Sequence, residues 1–388
     1  MSYEQLMLEN ELTALSISLK PSRETLEEGK RNATKLFELL KRKSNFKIDR
    51  VGIFGSVKKK SSIKVDFDFD CVIFINDVLP PYDDVTEDFE DVLLMEENLN
   101  GYVIKNRNTV QVIINNIKYD IVPATNFSPD KNLQRELVMQ RIRNLENPSR
   151  DGHKFSSSLD ETQTEFIRNQ SEFAHNFIRL AKFWNKTLFI KRYFSGRSSM
   201  IEAIALYVAK EEQRKYSNVS ILRAFREFLQ LMTNLDNLNI VFGEHYSFNE
   251  VDDYIRMQRP LVLDPSNPYN NLAYPFIQKE TVKDDFEQFA AITISRLEQF
   301  FRDLNVNAIF DPQPLQAPIE DVRRSVPPIE NWLFTVEEEN SNKNPNVIIR
   351  NEREAKTLGV EIIKHYLIRN INTFNLNIPL KMFIIMIK

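Results

Sequence analysis

Apolar residues recur along the chain with two different periods, one of helices and one of strands. Residues 22–43 come first: Leu26, Ala33, Phe37 and Leu40 share one stripe of a helix, and Lys30, Arg31, Lys41, Arg42 and Lys43 project elsewhere. Thr25 with Glu28 offers a capping box at its start. Two strands are predicted next, over 50–54 and 65–76, on either side of a Gly55-Ser56 turn. Pro80-Pro81 breaks the chain, and an acidic helix is expected over 85–99. Residues 109–114 and 117–122 are rich in β-formers and are separated by Asn115-Asn116, a hairpin signal. Pro123 is expected to end the second of these strands, because it cannot donate to a ladder.

From Asp160 the spacing becomes helical. Phe173, Phe177, Leu180 and Trp184 form one stripe, and such a stripe is core by default. A further helix is predicted over 198–213, with Ile201, Ile204, Ala205 and Val208 on its buried face and Ser198-Ser199 as N-caps. More helices follow through Arg302, interrupted by a Pro-rich loop over 264–271. Residues 312–328 read as a Pro-punctuated connection, 337–346 as a charged linker and 347–366 as a last helix. The apolar end, 378–387, is short and interrupted by Lys381, which suits a docking tail better than a membrane span.

The densest chemistry lies in 51–74. Gly55-Ser56 is followed by a basic loop, then by Asp66-Phe67-Asp68-Phe69-Asp70 and the apolar run Cys71-Val72-Ile73-Phe74. On a strand the three aspartates share one face and the phenylalanines the other, with neighbouring same-face residues about 6.6 Å apart. A half-buried strand with a wet acidic face would show the same alternation. Like charges on one face repel, however, and acids are depleted in strands. A pair of divalent cations held about 3.5–4 Å apart gives such a face a purpose. The Gly-Ser turn adds a place where backbone N–H groups and a hydroxyl approach a phosphate.

This arrangement resembles the DNA polymerase β-like nucleotidyltransferases, and within them the oligoadenylate synthetase and cGAS-like branch. Phe69 to Phe74 is similar to that branch's metal strand, and Ile117-Lys118-Tyr119-Asp120-Ile121-Val122-Pro123-Ala124 to the strand bearing a third carboxylate. Residues 157–166, 180–184 and 263–271 resemble three further stretches in the same order, so the likeness spans about residues 30 to 275. The resemblance implies an α+β, bilobal fold: a mixed β-sheet nucleotidyltransferase core with helices, plus a helical C-terminal lobe. The expected domains are 1–165 with the basic helix, 166–335, and a linker and tail over 336–388. Asp68, Asp70 and Asp120 would be catalytic and would hold two Mg²⁺ or Mn²⁺ ions. Gly55, Ser56, Lys59, Lys182 and Ser198 would bind nucleotide, although Ser199 stands where the family places a base-stacking aromatic. Asp66 would play a supporting part only.

The implied activity is template-independent joining of NTPs by 2′-hydroxyl attack on an α-phosphate. A double-stranded-RNA-activated 2′-5′-oligoadenylate synthase in innate immune sensing comes first. A cGAS-like synthase of a cyclic dinucleotide is the alternative. A poly(A) or tRNA-tailing enzyme, an RNA-binding pseudoenzyme and a membrane-tethered adaptor are lesser readings. Substrates would be ATP and also GTP.

Composition changes this picture little. The 388 residues, 42% hydrophobic and 27% charged with 8 glycines, suit ordinary globular domains. The net charge of -4 does not announce a nucleic-acid binder, but its distribution is uneven. Residues 20–64 hold 14 Lys and Arg against 5 Asp and Glu, a local excess of +9, whereas 77–100 hold 9 acids and no Lys or Arg. Lys30, Arg31, Lys41, Arg42 and Lys43, with Lys191, Arg192 and Arg197, are the candidate RNA surface; a solvated basic helix is the plain alternative. One cysteine and four scattered histidines leave no zinc cluster and no internal disulfide, which fits a cytoplasmic protein also present in the nucleus. Neither a signal peptide nor a membrane span is read, and a monomer is expected.

Overall fold

The computed structural model describes residues 3–310, except 66, 97–98, 100, 107, 189–195 and 304–305. The chain divides into two compact units, Met1–Leu315 and Gln316–Lys388, and every described residue lies in the first. The expected connection, linker, last helix and apolar tail, with Asp66, Lys191 and Arg192, lie outside the described residues.

Two helices open the chain, α1 (Tyr3–Ser18) and α2 (Arg23–Lys43). Strand β1 (Ile48–Ile53), the short α3 (Gly55–Lys58), β2 (Asp68–Asn76), α4 (Asp83–Leu94), β3 (Gly101–Lys105), β4 (Val110–Ile114) and β5 (Ile117–Asn126) follow. They build one mixed sheet in the order β1-β2-β5-β4-β3. β2 and β5 run parallel at its centre, and the remaining neighbours are antiparallel. From Cys71 to Ile75 every β2 residue is buried, as a strand covered on both faces requires. Its odd positions, Phe69, Cys71 and Ile73, pack with Ala33, Leu36 and Leu40 of α2 and Phe89 of α4. Its even positions Val72 and Phe74 meet Phe54 and Ala124 on the other face.

The remaining elements are mainly helical: α5 (Lys131–Arg143), α6 (Pro148–Asp151), a 3₁₀ segment over Gly152–Leu159, α7 (Asp160–Arg168), α8 (Glu172–Thr187), α9 (Arg197–Lys215), α10 (Ile221–Met232), α11 (Asp253–Arg256), α12 (Tyr274–Gln278), α13 (Glu280–Asp303) and α14 (Val306–Ile309). Phe177, Leu180 and Trp184 of α8 lie in one core with Ile201, Ile204, Ala205 and Val208 of α9 and with residues of α10 and α13. α1 joins that core through Leu8 and Leu12, so the first described helix packs with the last described ones. The α+β architecture is the expected one. Among the described residues no helix is long and apolar enough to cross a membrane.

Several local expectations change. α2 is capped by Ser22, whose hydroxyl accepts the Thr25 N–H at 3.1 Å, and Glu28 is instead bonded by the Asn115 amide. α9 starts from Gly196, at a left-handed φ of 82° that favours glycine, rather than from a serine cap. Asn115 and Asn116 do form the tight turn, with φ of 51° and 63°, as a two-residue hairpin demands. Pro123 does not end its strand: β5 continues to Asn126. β4 pairs with β5 only as far as Ile121, so beyond that point one edge of β5 needs no donor from position 123. The Pro123 carbonyl accepts the Ser157 hydroxyl at 2.9 Å.

α2 approaches β2 most closely at Gly29. A Cβ added there would fall 2.0 Å from the Phe69 ring, which is fully buried and stacks on Tyr119 at 5.4 Å. Gly29→Val is therefore expected to cost about 1–3 kcal/mol through overpacking. Gly29→Val combined with Phe69→Leu should recover part of that loss. Urea unfolding of the three proteins measures it, and an unchanged midpoint in the single variant would contradict the packing.

Candidate active site

The even face of β2 carries Asp68 and Asp70. In the parallel ladder Asp70 lies opposite Asp120 of β5, and Asp68 opposite Lys118. Adjacent strands are about 4.8 Å apart, so register alone makes Asp70 and Asp120 neighbours across 50 residues of sequence. The Phe54 N–H donates to the Asp70 carbonyl at 2.8 Å and leads the chain into Gly55. Gly55 has φ of +53°, and a Cβ on it would stand 1.6 Å from Asp70 Oδ2. Glycine is thus required twice, for the turn and for direct contact with a carboxylate. The Ser56 carbonyl accepts the N–H groups of Ser61 and Ser62 at 3.0 and 3.1 Å, folding the basic loop back on the turn.

Electrostatics mark the same place. Burial pushes the Asp70 carboxyl well above the usual carboxylate range, and Asp68, Asp120 and Asp160 push it further. Asp120 is raised to about 6, first by burial and then by Asp68, while the Gln111 amide, donating to Asp120 Oδ1 at 2.7 Å, holds it down. Like charges brought together in a partly dry site resist ionisation, and a hard divalent cation with oxygen ligands would reverse that. Among the described residues no three His, Cys, Asp or Glu side chains already converge as a metal site. The aspartates share a face and a repulsion that a cation would relieve; in that sense the donor set fits.

Lys59 and Lys182 occupy a buried ionic cluster. Glu202 of α9 accepts Lys59 Nζ at 3.1 Å and Lys182 Nζ at 2.6 Å, and the Ser61 hydroxyl donates to the same carboxylate. The three charged residues are 4%, 5% and 2% exposed. Burial alone would raise Glu202, but Lys182 and Lys59 overcome it and hold the carboxyl at about 2. Lys59 Nζ also donates to Gln163, whose amide donates to Asp264 Oδ2 at 3.0 Å. Both lysines expected to serve a phosphate chain thus have protein partners, and Lys59 also influences Asp70.

Asp160, at the start of α7, feels Lys59 and Asp264 and is raised to about 7, chiefly by burial. Sequence reasoning missed Glu202, Gln163 and Asp160 as parts of this region. Glu202 left a signal: an acid among the apolar residues of a helix face seldom goes inside unpaired.

The other candidates lie elsewhere. Ser198 is exposed in the first turn of α9, and Arg197 is half-buried beside it. Lys30, Arg31, Lys41, Arg42 and Lys43 are all exposed on α2. Three of them are engaged: Lys30 with Glu27 at 2.8 Å, Lys43 with Glu96 at 2.9 Å, and Lys41 with the Asp49 carbonyl at 3.3 Å.

A pH test follows from Asp120. Its folded value near 6 exceeds the unfolded value near 3.9, so the native state binds the extra proton. The stabilisation this gives is present at low pH and lost as pH rises from about 4 through 6. Asp120→Asn keeps an oxygen for Gln111 and removes the charge. In EDTA its Tm is expected to exceed that of the parent at pH 8, by up to about 3 kcal/mol of stability, and the gap should close toward pH 4. A gap independent of pH would contradict the proposed repulsion.

The chain is similar to known proteins in sequence and in fold. The family profile of "2'-5'-oligoadenylate synthetase 1, domain 2, C-terminus" matches residues 131–298. The chain is 23% identical to 2'-5'-oligoadenylate synthase 3 of Mus musculus over 307 residues, covering 67% of this chain and 26% of that protein. It is 27% identical to the inactive 2'-5' oligoadenylate synthetase 1C of Mus musculus over 172 residues, covering 40% of this chain and 47% of that one. The chain therefore spans about a quarter and about half of these two relatives. The structure of E. coli MS115-1 CdnC with ATP superposes with a TM-score of 0.55 at 17% identity, over 77% of this chain and 94% of that one. That likeness concerns the fold. The chain thus resembles the oligoadenylate synthetases in sequence, with a family-profile match over residues 131–298, and CdnC in fold.

Proposed function

We propose that the chain joins NTPs without a template, by attack of a ribose 2′-hydroxyl on an α-phosphate, in the manner of a 2′-5′-oligoadenylate synthase. The observation that carries this reading is the β2/β5 register, which sets Asp70 beside Asp120 with Gly55 against Asp70. In it Asp68, Asp70 and Asp120 hold divalent cations, Mg²⁺ or Mn²⁺, which would supply charge neutralisation of the phosphates and a more acidic acceptor hydroxyl. Gly55 lets the backbone approach the donor's β- and γ-phosphates, and the Ser56 hydroxyl donates to one of their oxygens. Lys59 and Lys182, anchored by Glu202, contribute positive charge behind that turn. Ser198 stands at the acceptor side.

Double-stranded RNA is the activator in this reading, held by α2 through its exposed Arg31 and Arg42, with Lys30, Lys41 and Lys43 released from their surface partners. Exposed ion pairs are weak, so that release costs little. Innate immune sensing by a cytoplasmic monomer, also present in the nucleus, completes the proposal.

The test is incubation of purified protein with labelled NTPs and Mg²⁺, with and without double-stranded RNA, followed by linkage analysis. RNA-dependent 2′-5′-linked adenylate is the expected product. Asp68→Asn combined with Asp70→Asn should lower turnover at least about 100-fold, as loss of an electrostatic catalytic element does, and leave the folded state intact. A cyclic dinucleotide would move the assignment to a cGAS-like synthase. Absence of pyrophosphate release in the presence of double-stranded RNA or DNA would overturn the enzymatic reading.

A further inference from the structure

The register that sets Asp70 beside Asp120 continues across the rest of the sheet. Asp120 lies opposite Gln111 of β4, and Gln111 opposite Ile104 of β3. One rung along, Asp68, Lys118, Ile113 and Tyr102 stand in line across β2, β5, β4 and β3. Side chains paired in this way share one face of a sheet. At about 4.8 Å per strand, Ile104 lies about 10 Å beyond Asp120, and Tyr102 about 10 Å beyond Lys118.

The two faces of this half of the sheet are finished differently. On the far face Val110, Val112 and Tyr119 are fully buried with residues of α2 and α4, and Val103 packs against them. On the carboxylate face Tyr102 is 70% exposed, and Ile104, Gln111 and Ile113 are half-buried. Ile104 and Ile113 belong to none of the apolar clusters formed among the described residues. An antiparallel strand with one wet face ordinarily turns polar residues to water. Here Ile113, Ile104 and Tyr102 form an apolar row instead. It begins beside the aspartates and ends at the edge of the sheet, where β3 is the last strand. Cross-strand pairing of such residues helps the sheet, but it does not require their exposure. An apolar row open to water beside a polar site marks a contact surface.

Charge and ring chemistry choose the occupant. Burial and Asp68 push the Asp120 carboxyl up, and the Lys118 charge opposes them, so a cation stands where the carboxylates give way to the apolar row. An aromatic ring on an open sheet with a cation beside it fits single-stranded nucleic acid, whose bases stack on the ring while the cation meets the backbone. A duplex keeps its base faces in its own stack and has no use for Tyr102.

We propose that the β4–β3 half of this face holds a single-stranded oligoribonucleotide, its end presented to Asp120 as the acceptor, its preceding base stacked on Tyr102, and Lys118 on the phosphate between them. The acceptor role rests on the proposed nucleotidyl transfer; the binding surface does not.

The full chain is titrated in EDTA against a 2′-5′-linked adenylate trimer carrying fluorescein, with fluorescence anisotropy as the readout, so that no turnover enters. The parent is expected to bind saturably with a Kd below about 1 mM. Tyr102→Thr keeps a β-favouring residue at an exposed position and should weaken binding about ten-fold. Tyr102→Phe should bind like the parent, because stacking needs the ring alone. Lys118→Gln should reduce the slope of log K against log salt by about 0.7, a change that Tyr102→Thr does not share. The proposal is overturned if the parent does not bind saturably, or if Tyr102→Thr binds as tightly as the parent. It is overturned equally if Tyr102→Phe loses as much as Tyr102→Thr, or if Lys118→Gln leaves the salt slope unchanged. The transfer reading fails separately. Tyr102-dependent binding without pyrophosphate release from NTPs and Mg²⁺ would support the surface and remove the acceptor role. Pyrophosphate release with Tyr102-independent binding would overturn the surface alone.

Discussion

The parallel pairing of β2 with β5 is the constraint on which the rest depends. It is the centre of the sheet, and its register is fixed by buried side chains on both faces, from Cys71 to Ile75 and from Pro123 to Asn126. A slip of one residue would move Phe69 to the wet face and Asp70 into the apolar layer under α2. The same apolar pattern that makes the strand fold therefore decides which carboxylates meet. Phe69 serves both ends of this coupling: it fills the space left by Gly29, stacks on Tyr119, and separates Asp68 from Asp70 in the chain.

The second support comes from outside the sheet. The loop after the Gly55-Ser56 turn is tied down largely by helices: Glu202 holds Lys59 and Ser61, Arg179 donates to the Lys60 carbonyl at 2.7 Å, and the Lys64 N–H donates to the Leu19 carbonyl at 2.6 Å. One buried carboxylate serving two ammonium groups is costly to break, because losing it would strand two charges. The position of the turn against Asp70 thus depends on α8 and α9 as well as on β1 and β2. This links the helical core, to which α1 belongs, to the proposed chemistry.

Much of the fold was legible because period and turn chemistry are local. The β2 alternation, the Asn115-Asn116 hairpin and the α8 and α9 stripes needed only neighbouring residues to be read. What escaped depends on distant partners. Pro123 stayed in its strand because β4 stops short, which no local pattern reveals. The helix caps moved by a few residues to Ser22 and Gly196, where short-range signals compete. Lys59 and Lys182 looked like free cations, and their common partner Glu202 lies 143 residues from Lys59. The placement of Asp120 was readable only through a resemblance, since a single aspartate in a strand carries no signal of its own. α1 was not singled out, as its buried positions are only Leu8, Leu12 and Ser16.

The central claim is that Asp70 and Asp120 act as one unit because the register places them together. The direct measurement is kcat/KM for nucleotidyl transfer in Asp70→Asn, Asp120→Asn and the double variant, beside the parent. Groups that work as a unit lose their effect together, so the double variant should be no worse than the poorer single variant, within about a factor of three. Losses that multiply in the double variant would show two independent contributions and contradict the account.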